Sequence, residues 1–273
     1  MGWLDAVLLG LLEGLTEFLP VSSTGHLILL GDLLGHEGEA AKSLDIVIQL
    51  GAIVAVAVYF RARLATLGRG LVKREAADLR LAGALIAGFV PTAVAGLALH
   101  RVVKAHLFGP VPVAAALIVG GLIMVGIERY RAARTITGAE GLEHVTVTRG
   151  FLVGLAQCLS LWPGSSRSMT TIVGGQLCGL STKTAAEFSF LLALPTLGAA
   201  TVYDFYRNGH LILALPEGPT VLAVGLGVSF LVAWAVVALF LKHVGRLGLA
   251  PFGVYRILLG GAVLARAWLT LGS

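Results

Sequence analysis

Two carboxylates, Glu13 and Glu17, stand four residues apart just ahead of Pro20. At that spacing both acids share one face of a helix that the proline ends. Like charges so close resist joint ionisation, so either a divalent cation holds both or one carboxyl keeps its proton. The plain reading is a protonated or snorkelling acid at a membrane interface; the sharper one is a metal-binding or general acid/base pair. Ser22, Ser23, Thr24 and His26 follow directly. Hydroxyls where a helix restarts are ordinary N-caps, which accounts for Ser22 and Thr24. Ser23 differs because His26 lies three residues on, within the first turn, where its imidazole could reach a hydroxyl or a phosphate.

A second cluster reads Pro163-Gly164-Ser165-Ser166-Arg167-Ser168, with Thr171 beyond. The guanidinium of Arg167 needs an anionic partner in an apolar chain, and its planar fork suits bidentate contact with phosphate. The ordinary alternative is a buried salt bridge to Glu13 or Glu17. Gly164, Ser165, Ser166, Ser168 and Thr171 supply small residues, hydroxyls and free backbone N–H groups at a helix N-terminus, which favours an anion site. Taken together, an arginine, two helix dipoles, serines, a histidine and a carboxylate pair suit a phosphate ester or anhydride plus a divalent metal.

These groups must be positioned by elements that live in lipid. Of 273 residues, 57% are hydrophobic and 13% charged, against roughly 25% charged in an ordinary soluble domain. A mean hydropathy of +0.90 leaves too little polar surface to cover a water-facing globule, and it excludes disorder. Apolar stretches at about 44–60, 81–100, 111–127, 187–204, 220–241 and 254–271 each approach the ~20 residues that cross hydrocarbon, predicting six spans. Two further apolar regions, 3–35 and 149–180, are broken by the two polar clusters, so each half is too short to cross. Broken helices are tolerated only where protein or water lines them, so both regions read as re-entrant helical hairpins.

The hairpins resemble each other. Gly14-Leu15-Thr16-Glu17 and Pro20…Ser22-Ser23 parallel Gly154-Leu155-Ala156-Gln157 and Pro163…Ser165-Ser166, and an acid, Asp45 or Glu187, opens the span after each. A hairpin returns to its own side, so three intervening crossings put the second hairpin on the opposite face of the membrane from the first. The expected fold is therefore an all-α polytopic membrane protein: six transmembrane helices plus two re-entrant hairpins arranged as an inverted repeat. It forms one membrane domain over 1–273, with repeats at about 1–130 and 145–273, whose broken tips meet at the midplane.

Orientation follows from the basic residues. One face receives thirteen (Arg61, Arg63, Arg69, Lys73, Arg74, Arg80, Arg129, Arg131, Arg134, Arg149, Lys183, Lys242 and Arg246) and the other four (Lys42, Arg101, Lys104 and Arg207). The richer face should be cytoplasmic, placing both termini and the opening of the polar cavity outside. The net charge of +5 thus reads as topology, not as nucleic-acid binding. The first ~20 residues lack a basic n-region and carry Asp5, Glu13 and Glu17, unlike a cleaved signal peptide. Cys158 and Cys178 have neither zinc-site nor disulfide-framework spacing. Gly120-Gly121, Gly174-Gly175 and Gly260-Gly261 are expected to allow close helix packing, Arg256 and Arg266 to snorkel, and Gln157 to hydrogen-bond in the cavity. His100, His106, His144, His210 and His243 receive no assignment.

The stretches Glu13-Gly-Leu-Thr-Glu17-Phe-Leu-Pro-Val-Ser-Ser-Thr-Gly-His26 and Pro163-Gly-Ser-Ser-Arg-Ser-Met-Thr-Thr171 resemble the two signature motifs of the undecaprenyl pyrophosphate phosphatase, or bacitracin-resistance protein, family. The resemblance extends through Asp45 to Gln49, Glu187-Phe-Ser-Phe-Leu-Leu-Ala, Pro251-Phe252 and Tyr255-Arg256, with Met169 a departure where many members have glycine. It implies a bacterial inner-membrane hydrolase that converts undecaprenyl pyrophosphate to the monophosphate carrier lipid of peptidoglycan synthesis and confers bacitracin resistance. It also implies a divalent cation, magnesium or calcium. Carried over by position, Glu17, Ser23, His26 and Arg167 are the catalytic candidates. Ser22, Ser165, Ser166, Arg167 and Thr171 would touch substrate, and Glu13 and Glu17 would hold the metal. Two mechanisms stand open: a Ser23 nucleophile activated by His26, or a metal-activated water with His26 as acid or base. The broken-helix architecture also admits a lipid-phosphate or anion transporter. The partners implied are the lipid substrate and the bilayer, not nucleic acid, with a homodimer left open.

Overall fold

A computed structural model describes residues 2–35, 38–107, 109–214 and 217–271. The side chains of Lys42, His100 and Lys104, which enter the charge and histidine readings above, lie outside the described set. Eleven α-helices account for the described fold: α1 (Trp3–Thr16), α2 (Ser23–Leu34), α3 (Glu39–Tyr59), α4 (Arg61–Lys73), α5 (Ala76–His106), α6 (Pro110–Ala133), α7 (Val147–Gln157), α8 (Arg167–Leu177), α9 (Thr182–Leu213), α10 (Gly218–Leu247) and α11 (Ala250–Leu271). No strand occurs among the described residues. Five helical segments, Ala76–Leu99, Pro110–Ala133, Thr182–Leu213, Gly218–Leu247 and Ala250–Leu269, are long and apolar enough to cross a membrane, and α3 with α4 counts as a sixth. The chain is an all-α multi-pass membrane protein. Each expected span lies inside one of these helices.

Local chemistry sets the ends. Pro110 opens α6 without sacrificing a helical N–H, as proline can in a first turn. Thr146, Ser166 and Ser181 accept backbone N–H groups at the starts of α7, α8 and α9. After Tyr59 the chain turns by 70° into α4, because Arg61 and Arg63 cannot continue the apolar span. The short amphipathic helix that results buries Leu67 and Gly70, and Arg63 bonds the buried Asp78 at 2.8 Å. The basic run from 61 to 80, between two expected spans, is thus mostly helix. Arg131, one of the thirteen basic residues counted on one face, is buried and donates to the carbonyls of Gln176 in the last turn of α8, Leu180 just past it, and Thr137. Cationic donors near orphan carbonyls are favourable. Asp45 and Glu187 sit inside α3 and α9 rather than opening them.

Both broken hairpins form as expected, α1 with α2 and α7 with α8, the second carrying a 3₁₀ turn at Cys158–Leu161. Their first arms pack in matching ways. In α1, a Cβ on Gly10 or Gly14 would lie 2.6 Å from Gly225 O or 2.8 Å from Ser229 O of α10. In α7, a Cβ on Gly150 or Gly154 would collide with Ala84 O or Gly88 O of α5. Each arm is therefore a Gly-x-x-x-Gly helix lying backbone to backbone on a long span, the geometry such motifs allow in lipid. A Cβ on Gly121 would lie 2.5 Å from Gly253 O of α11 and one on Gly260 2.8 Å from Ala114 O of α6, whereas a Cβ on Gly261 would meet nothing within 4 Å, so that glycine is not needed for close approach. Helix α8 sits innermost, with every residue from Arg167 to Gln176 buried; its Met169, Ile172 and Val173 belong to one apolar core with Phe18, Phe188 and Phe190.

Candidate active site at the two broken tips

Each second arm restarts from a serine with positive φ: Ser22 at +75° before α2 and Ser166 at +68° before α8. A non-glycine residue there costs on the order of 1–3 kcal/mol. The hydroxyl offsets part of that cost: Ser22 Oγ accepts from Gly25 N at 3.3 Å and Ser166 Oγ from Met169 N at 3.3 Å. The two tips thus correspond one residue out of the register expected from Ser22-Ser23 and Ser165-Ser166. Ser22 matches Ser166, and the first helical residues are Ser23 and Arg167. Thr24 lies within the first turn and is not the cap.

Across the tips the side chains meet. Glu17 receives Arg167 Nη2 on one oxygen at 2.9 Å and Ser23 Oγ on the other at 2.5 Å. Arg167 Nη1 also donates to Ser189 O at 3.1 Å and Oγ at 3.2 Å, its guanidinium lies 5.3 Å over the Phe18 ring, and its Nε, though buried, has no partner among the described residues. Thr171 Oγ1 bonds Ser189 Oγ at 2.6 Å and the Arg167 carbonyl at 2.7 Å, and Ser168 Oγ donates to Leu19 O of the first tip at 2.8 Å. Ser165 is buried with its N–H on Trp162 O. Every one of Glu13, Glu17, Ser22, Ser23, His26, Ser165, Ser166, Arg167 and Thr171 is at most 9% exposed. They form a packed polar centre rather than the lining of a wide cavity, because the ion pair and hydroxyl chain draw the tips together.

His26 is held differently from the expectation. Its Nδ1 lies 2.7 Å from Ser22 O, which can only accept, so Nδ1 carries the proton and Nε2 accepts from Tyr255 OH at 2.7 Å. The two rings stack with centroids 5.7 Å apart. Both imidazole nitrogens are thus engaged and neither bonds Ser23, whose hydroxyl points to Glu17. Ser189 of α9, Phe18 just past the end of α1 and Tyr255 of α11 went unassigned as site residues in the sequence; only for Phe18, next to Glu17, was there a local signal. Gln157 is buried on Thr92 and Thr196, hydroxyls that each follow a mid-helix proline.

Glu13 is completely buried and, among the described residues, neither of its oxygens has a partner at ordinary hydrogen-bond distance and geometry; it lies one helical turn from the Glu17 carboxyl and within electrostatic range of Asp45 and Arg167. Two unsatisfied carboxylate oxygens beside a second acid fit a hard divalent cation, for which one or two carboxylates plus phosphate oxygens are an ordinary ligand set. Among the described residues no group of three or more His, Cys, Asp or Glu side chains is arranged to hold a metal, so any cation here would draw its remaining ligands from elsewhere.

A membrane-embedded all-α protein with two interrupted helices converging on an Arg–Glu–Ser centre is the class that fold and site define. The comparisons make it particular. The model of the family described as "Bacitracin resistance protein BacA" matches residues 6–262, and the chain belongs to that family. A Sorangium cellulosum protein named undecaprenyl-diphosphatase is 66% identical over 264 residues, covering 97% of this chain and 86% of the relative. Proteins of the same name from Sphingopyxis alaskensis and Campylobacter fetus are each 44% identical, with 96% and 97% of this chain and 97% and 98% of the relatives covered.

Proposed function

We propose that this chain is a bacterial inner-membrane phosphatase that hydrolyses undecaprenyl pyrophosphate to undecaprenyl phosphate and inorganic phosphate, recycling the carrier lipid and conferring bacitracin resistance. The observation that carries the chemistry is the buried Ser23–Glu17–Arg167 contact, which joins nucleophile, base and anion receptor across the tips. Arg167 and the N–H groups opening α2 and α8 hold the terminal phosphoryl group. Ser23 Oγ attacks its phosphorus, the serine proton passes to Glu17, and the bond to the bridging oxygen breaks with its electron pair leaving on the lipid monophosphate. Water then attacks the phosphoserine, the phosphorus–serine bond breaks, and serine recovers a proton. His26, anchored by Ser22 and facing Tyr255, serves as the proton-transfer group for the water step. Glu13 and Glu17 would hold magnesium or calcium, which supplies charge neutralisation on the phosphates when bound.

The tips belong to an inverted repeat with both termini outside. Supporting this are the matched Gly-x-x-x-Gly arms, each of which crosses a span of the other half of the chain, and the charge asymmetry of the loops.

Purified protein in detergent should release phosphate from a pyrophosphoryl polyprenyl lipid only when a divalent cation is present. Rapid quench should trap one phosphorylated Ser23 per active site, and Ser23→Ala should abolish the trapped species. Full turnover by Ser23→Ala would eliminate the serine route in favour of an activated water. Absence of hydrolysis alongside lipid movement in sealed vesicles would replace the enzyme with a transporter.

A further inference from the structure

Arg256 was expected to snorkel from the end of α11. It is instead fully buried, at 0% exposure, and it has no carboxylate partner among the described residues. Its guanidinium donates to four backbone carbonyls: Gly164 O at 2.8 Å, Pro20 O at 3.3 Å, Ala116 O at 3.0 Å and Leu117 O at 3.3 Å. The first two belong to the two broken tips and the others to α6. Buried carbonyls at a helix break are costly unless satisfied, and one planar fork satisfies both breaks at once.

We propose that Arg256 is a positioning residue for the phosphatase reaction: by holding Pro20 O and Gly164 O on one guanidinium, it fixes the two tips relative to each other. This turns the N–H ends of α2 and α8 toward a single anion. The proposal rests on the functional reading above. Two features beyond the bonds support it. The carbonyls that Arg256 binds are the negative ends of peptide units at the tips. Their N–H ends, on Val21 and Ser165, bond Leu19 O and Trp162 O, so what the arrangement adds at the site is the guanidinium's charge, a cation with no carboxylate partner among the described residues, behind the anion-binding centre. Gly120 of α6 makes the arrangement sterically available: a Cβ there would collide with Nη2 and lie 2.9 Å from Cζ, and 2.8 Å from Met169 Cε, the far end of a flexible side chain that can move aside where the pinned guanidinium cannot. The adjacent Tyr255 holds His26, so two consecutive residues of α11 set both the tips and the imidazole. Arg256 touches no reacting atom in this scheme; it acts through Pro20 and Gly164.

Two substitutions perturb the fork independently. Arg256→Lys keeps the charge but cannot span the carbonyls around a planar group, and Gly120→Ala displaces the guanidinium without removing it. Misplacing reacting groups by about 1 Å can cost ~10²-fold in rate. Each variant should therefore lower kcat by at least about tenfold while KM stays within about threefold, since Arg167 still binds the phosphates. In a double-mutant cycle Gly120→Ala should add nothing once Arg256→Lys is present, because both act through one group. Gly261→Ala, which meets no neighbour, is the matched control. Thermal midpoints in detergent identify any variant that fails to fold, and the Gly120→Ala arm carries the test should Arg256→Lys do so. Kcat within twofold of wild type in either folded variant, or additive losses in the cycle, would overturn the inference. Wild-type protein with no phosphate release would sink the phosphatase reading instead.

Discussion

Besides the cation it would share with Glu13, Glu17 has two duties that one substitution separates from the nucleophile's. Its carboxylate neutralises a buried guanidinium and accepts the Ser23 proton through opposite oxygens. Glu17→Gln should therefore lose both. It leaves Arg167 as an unpaired buried cation, costing about 3–5 kcal/mol of stability, and removes the base, costing ~10²–10⁴ in turnover. Ser23→Ala should lose turnover but shift the unfolding midpoint far less, since it deletes one hydroxyl and leaves the ion pair intact. Measuring kcat and thermal midpoint together on both variants tests this division. Equal stability losses would show that the hydroxyl, not the ion pair, holds the tips.

At the level of elements, the arms that carry the tips bury a few side chains, Leu9 of α1 and Val153 of α7 among them, and seat the rest of the contact through glycines. Van der Waals fit is the main attraction between helices in lipid, so the arms depend on backbone approach. Gly154→Ala would drive a methyl group into Gly88 O. Overpacking of that kind costs about 1–3 kcal/mol, and because Gln157 and Cys158 follow at the same arm's end, activity should fall with it. Gly227→Ala, on α10 with nothing within 4 Å, should be neutral or stabilise by up to about 1 kcal/mol through helix propensity. Differential scanning fluorimetry of the pair checks both signs. If Gly154→Ala proves as harmless as Gly227→Ala, the arms are seated by something other than close contact.

For the whole molecule, the basic α4 helix and the C-terminal half of α9 report orientation. Val72 at 86% exposed and Tyr206 at 85% exposed accept a single reporter cysteine each, in a chain whose Cys158 and Cys178 are replaced by alanine. A membrane-impermeant thiol reagent applied to intact cells should label Tyr206→Cys at once, and Val72→Cys only after permeabilisation. The reverse pattern would invert the topology and put the termini in the cytoplasm.

What the chain alone determined was its medium, the position of every long helix and the identity of the polar groups at the breaks. These follow from composition and from apolar run length against the bilayer's thickness, quantities that accumulate along one dimension. Glu13, Glu17, Ser23, His26 and Arg167 were legible because charged and hydroxylated side chains stand out in an apolar background. The turn into α4 was not, because the basic stretch lacks the apolar length that marked the others. Only the tertiary structure decided who bonds whom. It turned Ser23 to Glu17 and not to His26, gave His26 to Tyr255 across 229 positions, and set Arg256 on carbonyls from both halves. Hydrogen bonds require donor and acceptor within about 3 Å and aligned, a condition set by how helices cross and not by spacing along the chain.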